Sequence, residues 1–240
     1  MKIIIIAGGL GTRISEETED KPKPMVLIND KPIIWHLMNI FSLQGFNEFI
    51  ISTGYKSEVI ENWVHGNEIV DSNSNVMHIA TLNTGLNTQT GGRIAEVMKT
   101  IPGERIIATY GDGLANISIP KLLAFHERHG KLATVTAVRP PARFGYMKIE
   151  KNVVTHFGEK NQSDEGWING GFFVLEPEVK DFVDTNQEPF ETGGLVRLAN
   201  KVQLMAYQHY GFWQPMDTLR EKKELEKSAL DSTPPWIKFH

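Results

Sequence analysis

Arg13 and Lys23 are the two cations whose surroundings point to chemistry. Arg13 closes the run Ala7-Gly8-Gly9-Leu10-Gly11-Thr12-Arg13, which follows the apolar stretch Ile3-Ile4-Ile5-Ile6. A guanidinium is a planar, permanently charged fork that suits phosphate. The glycines before it carry no Cβ, so backbone amides can come close to a ligand and hold anionic oxygens. Lys23 adds a second cation within Lys21-Pro22-Lys23-Pro24-Met25. The following proline disfavours helical backbone at Lys23, which predicts a stiff, extended segment that aims the ammonium. Two aimed cations beside a glycine turn make a site for a polyphosphate. The turn matches neither common phosphate fingerprint. G-x-G-x-x-G would need glycine at Ile14, and a P-loop would need Lys and then Ser or Thr after its last glycine.

Two carboxylates are candidate partners for that anion. Asp112 stands between glycines in Tyr110-Gly111-Asp112-Gly113, and Asp217 follows Phe212-Trp213-Gln214-Pro215-Met216. Brought together before a triphosphate, they would form a Mg²⁺ site, since that ion takes one or two carboxylates plus phosphate oxygens and water. Asp217 also fits a helix N-cap ahead of Thr218-Leu219-Arg220-Glu221. The spacing alone leaves cap and ligand both open.

Elements must position these groups. The run of isoleucines reads as a strand buried on both faces. Phe49–Ser52 and Ile106–Tyr110 read as further strands. Pro32 fits the first position of a helix whose apolar register Ile33, Ile34, Leu37, Met38, Phe41 ends at Gly45. Strands and helices alternate through the first two thirds, as a mostly parallel sheet requires. Ligands gather at the carboxyl ends of such strands, which places the Gly8–Arg13 turn and Asp112 in one crevice. Residues 66–92 lack periodicity and predict an irregular loop, functional or mobile, with at most one strand, near Val76–Ala80. His36 reads as a packed core residue. His126 and His129, among Arg128 and Lys131, read as a solvated face. Pro234-Pro235-Trp236 reads as a docked tail or an oligomer contact.

The combination Ala7-Gly8-Gly9-Leu10-Gly11-Thr12-Arg13 and Lys21-Pro22-Lys23-Pro24-Met25-Val26 resembles the signature of nucleotidyltransferases acting on sugar 1-phosphates. Gly54-Tyr55-Lys56, Thr90-Gly91-Gly92-Arg93, Tyr110-Gly111-Asp112-Gly113, Arg143-Phe144-Gly145, Ile168-Asn169-Gly170-Gly171-Phe172 and Gly211 through Thr218 match the family in the same order. The resemblance covers nearly the whole chain. It implies a single domain over 1–240 with a Rossmann-like, GT-A-like α/β fold: a mostly parallel sheet flanked by helices. The nucleotide part would occupy about 1–135 and the sugar part about 136–240. The implied donor is CTP, the acceptor glucose 1-phosphate, the product CDP-glucose and the cofactor Mg²⁺. A homo-oligomer is implied as well.

The same resemblance implies roles. An oxygen of the sugar phosphate attacks the α-phosphorus and pyrophosphate leaves. The nucleophile is already an anion, so cations and in-line positioning are the tools needed. Arg13 would hold the β- and γ-phosphates, with Gly8, Gly9, Gly11, Thr12 and Gly111 around the nucleotide. Lys23 would hold the α-phosphate and Lys160 the phosphate of the sugar. Thr84, Gly85 and Gly91 would read the base together with Gly8 and Gly9, and Arg93 would contact the triphosphate or the base, or only start a helix. Asp112 and Asp217 become the metal ligands. Gly145, Tyr146, Glu159, Asn169 and Gly170 would bind the sugar, with Trp167 lining the pocket or packing. Gly170-Gly171 also fits a strand bulge. Phe190-Glu191-Thr192-Gly193-Gly194-Leu195 and Asn161 depart from the family's wording, as does Tyr146, and these changes fall where the acceptor and the subunit contacts would be. Another phosphorylated acceptor, or a nucleotide sensor without turnover, are the competing readings.

Composition narrows the classes further. The chain has 240 residues, a formal net charge of −4 and no cysteine. The charge gives no basic footprint for nucleic acid. The missing cysteines exclude disulfides, thiol nucleophiles and thiolate metal sites. The first apolar stretch is too short for a signal peptide or a membrane span, so a cytoplasmic protein without membrane attachment is expected.

Overall fold

The computed structural model describes residues 1–140, 145–150, 153–159, 166–183 and 187–239, with backbone only at 145–150 and 156–159. In chain order the elements are β1 (Lys2–Ile6), α1 (Ser15–Thr18), β2 (Leu27–Ile28), β3 (Lys31–Pro32), α2 (Ile33–Ser42), β4 (Glu48–Thr53), α3 (Ser57–His65), β5 (His78–Asn83) and α4 (Thr90–Thr100). Then come β6 (Ile106–Tyr110), β7 (Gly113–Ala115), α5 (Ile119–His129), β8 (Ala133–Val138), β9 (Gly145–Glu150), β10 (Val153–Glu159) and β11 (Ile168–Leu175). The chain continues through α6 (Gly194–Asn200), β12 (Leu204–Gln208), β13 (Trp213–Pro215) and α7 (Leu219–Ala229).

The central sheet has strand order β12-β8-β11-β6-β1-β4-β5. All its pairings are parallel except those of β11. The isoleucines of β1 explain its position. Ile3 and Ile5 enter one core with α2, Phe172 and Trp236, while Ile4 and Ile6 enter the other with Ile94, Val97, Phe190 and Leu198. A strand buried on both faces has no polar side to turn to water, so it lies inside the sheet. From β1 the chain moves outward to β4 and β5, then returns through α4 to place β6 on the other side of β1. The strand order therefore reverses between β1 and β6, and the space above their carboxyl ends is where such a sheet opens a crevice. The expected division at about residue 135 falls inside β8, so the two parts share this one sheet.

Several local expectations need correction. Pro32 caps α2 from extended backbone, one residue before the helix, because it also pairs in the β2–β3 ribbon. The strand placed near Val76–Ala80 is β5, and the loop ends early because Thr90 opens α4. Parallel pairing with β4, from Glu48–His78 to Thr53–Asn83, overrides the weak local pattern. His126 is 1% exposed and does not face water. Its ring contacts Thr134 Oγ1 at 2.8 Å and Glu176 Oε1 at 3.2 Å, and Glu176 also pairs with Arg105. His36 is buried as expected, with its ring against Trp35 and Trp236. Trp236 is 1% exposed, so the tail is docked. No helix among the described residues is long and apolar enough to cross a membrane.

His36, His126, His129 and His209 are each held below the usual histidine pKa, first of all by burial. The unfolded chain thus binds more protons than the folded one between those depressed values and about 6.5. Stability is fully present above that value and is lost as the pH falls through the window. Thermal melting near pH 5 should occur below melting near pH 7.5. Replacing His126 by glutamine should narrow the gap. Equal melting temperatures at both pH values would contradict the account.

Candidate active site

Each reactive side chain is set by a short piece of backbone. Gly11, at φ 66°, turns the chain from the glycine run into a 3₁₀ turn over Thr12–Ile14. That left-handed geometry suits glycine, and it leaves Thr12 and Arg13 exposed at the rim. Lys23 opens a second 3₁₀ turn, Lys23–Met25, and so is not extended as the sequence predicts. Met25 N donates to Pro22 O at 2.8 Å and Val26 N to Lys23 O at 3.0 Å. Pro24 sits where its missing N–H is not needed, so the turn forms despite the proline. Gly111 allows the close packing of Pro24 against the end of β6, since a Cβ there would lie 2.9 Å from Pro24 Cγ.

The two carboxylates meet through a ribbon. β13 pairs antiparallel with β7, with Pro215 opposite Gly113, and Met216 N donates to Asp112 O at 2.9 Å. Asp217 thereby arrives beside Asp112. It is not the helix cap. Thr218 Oγ1 accepts from Glu221 N at 3.2 Å, and Glu221 Oε2 accepts from Asp217 N at 2.7 Å. This reciprocal capping holds the Asp217 backbone and leaves its side chain for the crevice.

Lys23 fills the gap between the carboxylates. Its Nζ lies 2.7 Å from Asp112 Oδ2 and 2.6 Å from Asp217 Oδ1. Arg13 Nη1 lies 3.2 Å from Asp217 Oδ2. Lys23 is only 7% exposed. Burial alone would lower its pKa. The charge and hydrogen bond of Asp112, with those of Asp217, outweigh that and raise it above the ordinary lysine value. Burial pushes the Asp217 carboxyl up, but Lys23 and then Arg13 hold it below the usual carboxylate range. The ammonium remains charged at neutral pH and is a stand-in for a cation between two oxygen donors.

A crevice of about 820 Å³ opens over this group. Of the candidate residues, Gly9, Gly11, Thr12, Arg13, Lys23, Arg93, Gly111, Asp112, Asn169, Gly170 and Asp217 line it. Gly8, Thr84, Gly85 and Gly91 do not. Gly91 is buried, and a Cβ there would meet the Glu188 and Phe190 backbone, so the glycine serves packing of α4. Gly8 lies over the buried guanidinium of Arg93, in the first turn of α4. Arg93 Nη2 donates to Gly8 O at 2.9 Å, and Nη1 donates to Thr53 O at 2.8 Å and Thr84 Oγ1 at 2.7 Å. One buried cation thus ties together the loops that leave β1, β4 and β5. Side chains at 8 and 54 would collide with it.

The strand-bulge reading of Gly170-Gly171 fits the structure. β11 shifts register against β8 between Asn169 and Phe173, and both glycines line the crevice. Trp167 packs, with Arg139 over its ring at 4.7 Å and Tyr210 against it at 5.2 Å. Gly145 and Tyr146 lie on β9, and Glu159 ends β10 opposite Gly145. Lys160, Asn161, Arg143 and Phe144 lie outside the described residues. Sequence reasoning missed Tyr110 and Trp213, which line the crevice, and gave Glu191 no role. Tyr110 stands directly before the Gly111-Asp112 turn that drew attention, and that adjacency was the available signal.

A glycine turn and two cations over paired carboxylates at a strand-order reversal describe a nucleotide-handling enzyme. A family model described as nucleotidyl transferase matches residues 2–216, and the chain belongs to this family. It is 44% identical over 253 aligned positions to a glucose-1-phosphate cytidylyltransferase of Salmonella typhi, covering 98% of each chain. It is 41% identical to a probable glucose-1-phosphate cytidylyltransferase of Bacillus subtilis, covering 95% of each. A solved structure of a glucose-1-phosphate thymidylyltransferase homologue from Bacillus anthracis superposes with a TM-score of 0.71 over 96% of both chains at 17% identity, a likeness of fold.

Gly8→Ala should force Arg93 off its carbonyl partners and cost roughly 1–3 kcal/mol of stability. In thermal melting, the double variant Gly8→Ala/Arg93→Ala should be no less stable than Arg93→Ala alone. Independent, additive losses would contradict this role of Arg93.

Proposed function

We propose that this enzyme transfers the cytidylyl group of CTP to glucose 1-phosphate, forming CDP-glucose and releasing pyrophosphate. A sugar-phosphate oxygen forms the new bond to the α-phosphorus, and the bond from that phosphorus to the pyrophosphate oxygen breaks. The convergence of Lys23 and Arg13 on Asp112 and Asp217 carries the reading, because nucleotide binding alone needs no such complete set. The likeness to cytidylyltransferases over nearly the full chain supports CTP and glucose 1-phosphate as the pair.

The donor set fits Mg²⁺. Asp112 and Asp217 offer oxygen only, and no group of three or more acidic or histidine side chains gathers among the described residues. The ion's other ligands would then be phosphate oxygens and water. Bound there, it would neutralise triphosphate charge and help the leaving group depart. The chain's own residues do the rest. Arg13, exposed at the rim and paired with Asp217, would hold the β- and γ-phosphates. Lys23 has a flexible stem and can turn from the carboxylates to the α-phosphate, where charge shifts in the transition state. The Gly8–Thr12 turn and the head of α4 close around the base. A homo-oligomer acting in the cytoplasm belongs to the same reading.

The test is pyrophosphate release with CTP, UTP and dTTP, each against a panel of phosphorylated acceptors that includes glucose 1-phosphate. The expected result is release with CTP and glucose 1-phosphate, reduced in Lys23→Ala by about 10²–10³ in turnover. Release with another acceptor would move the assignment to that acceptor. Preference for UTP or dTTP would overturn CTP. Tight CTP binding without release on any acceptor would leave a sensor.

A further inference from the structure

A chain of hydrogen bonds runs from Asn169 across the crevice to the head of α4, and its members Tyr110, Glu191 and Thr90 have no task in the reaction above. The Tyr110 hydroxyl donates to Glu191 Oε1. The Thr90 hydroxyl donates to Glu191 Oε2 at 2.7 Å and accepts from Phe190 N at 2.8 Å. Tyr110 Oη accepts from Asn169 Nδ2 at 3.2 Å, and Asn169 Oδ1 accepts from Gly171 N at 2.8 Å. Tyr110, Thr90 and Asn169 line the crevice, and Glu191 stands behind them. Glu191 comes from the 190–195 segment, where the sequence departs from its family.

These bonds have a direction. The Tyr110 hydroxyl has one hydrogen to give, and the Glu191 carboxylate can only accept it. That proton goes to Glu191, so the Tyr110 oxygen faces Asn169 as an acceptor. Only the amide nitrogen of Asn169 can answer it. Gly171 N, a donor, fixes the amide oxygen at the other end. Both ends of the amide are therefore specified, and the second hydrogen on Nδ2 remains for a ligand oxygen.

We infer that Glu191 and Tyr110 are positioning residues for acceptor selection: they set the Asn169 amide as a donor to one ring hydroxyl of the sugar phosphate. Glu191 also links that setting to Thr90 at the head of α4, on the nucleotide side. The inference rests on the sugar-phosphate acceptor proposed above. A merely structural pair would hold the 187–193 loop to the sheet and would not distinguish the two substrates.

Steady-state kinetics on the full chain separate these roles. Tyr110→Phe keeps the ring against Phe173 and removes the hydroxyl. It should raise the KM for glucose 1-phosphate about tenfold, one hydrogen bond's worth, with the KM for CTP within about twofold. Glu191→Gln should move both constants, because it also loosens Thr90. The double variant Tyr110→Phe/Asn169→Ala should have the same acceptor KM as Asn169→Ala alone. Asn169→Asp keeps the shape, reverses the polarity at the nitrogen and should lose acceptor affinity while binding CTP normally in calorimetry. Among glucose 1-phosphates lacking one ring hydroxyl each, one analogue should serve wild type and Asn169→Ala alike, naming the hydroxyl. Additive effects in the double variant, equal shifts of both KM values in Tyr110→Phe, or an unchanged acceptor KM in Asn169→Asp would overturn the inference. The wild type's own release with CTP and glucose 1-phosphate tests the underlying reaction separately.

Discussion

The Lys23 ammonium, held between Asp112 and Asp217, is the interaction on which the rest of the site depends. It joins three segments far apart in sequence: the 3₁₀ turn before β2, the end of β6 and the approach to α7. Two carboxylates this close would repel in a half-buried crevice without a cation between them. Their apposition therefore demands positive charge, which Lys23 supplies here. In the proposed reaction, a divalent ion arriving with the triphosphate would take over that role and give Lys23 and Arg13 new anionic partners.

The fold supplies this junction cheaply because the sheet reverses its strand order between β1 and β6. The Arg13 turn and Asp112 face each other there without any special loop. Asp217 needs one, and the β7–β13 ribbon with the Thr218–Glu221 cap provides it. Arg93 plays the matching part at another rim of the crevice. It spends its charge on the carbonyls of Gly8 and Thr53 and the hydroxyl of Thr84, and so ties the loops after β1, β4 and β5 together. Lys23 and Arg93 are thus two buried cations of the crevice with different partners, carboxylates for one and the frame's own oxygens for the other.

Much of this was legible in the sequence where a residue type admits one explanation. Four consecutive isoleucines need burial on both faces, and they occupy the middle of the sheet. Glycines at 9, 11 and 111, the pair of cations and both aspartates reach the crevice as expected. The failures come from contacts distant in sequence. His126 looked solvated among charged neighbours, yet Thr134 and Glu176 draw it inward. Gly8 and Gly91 looked like approaches to a ligand, yet they make room for Arg93 and for the Phe190 backbone. Glu191 could not be read at all, since its partners Thr90 and Tyr110 lie on α4 and β6. Local pattern reports a residue's own element, and these roles depend on which elements the sheet order brings together.

Binding of Mn²⁺, followed by electron paramagnetic resonance with and without CTP, tests the junction most directly. The account predicts weak binding to the free protein, tight binding in the presence of CTP, and loss of the CTP-dependent site when Asp112 and Asp217 are both replaced by asparagine. Tight Mn²⁺ binding without nucleotide, or a CTP-dependent site that survives removal of both carboxylates, would contradict it.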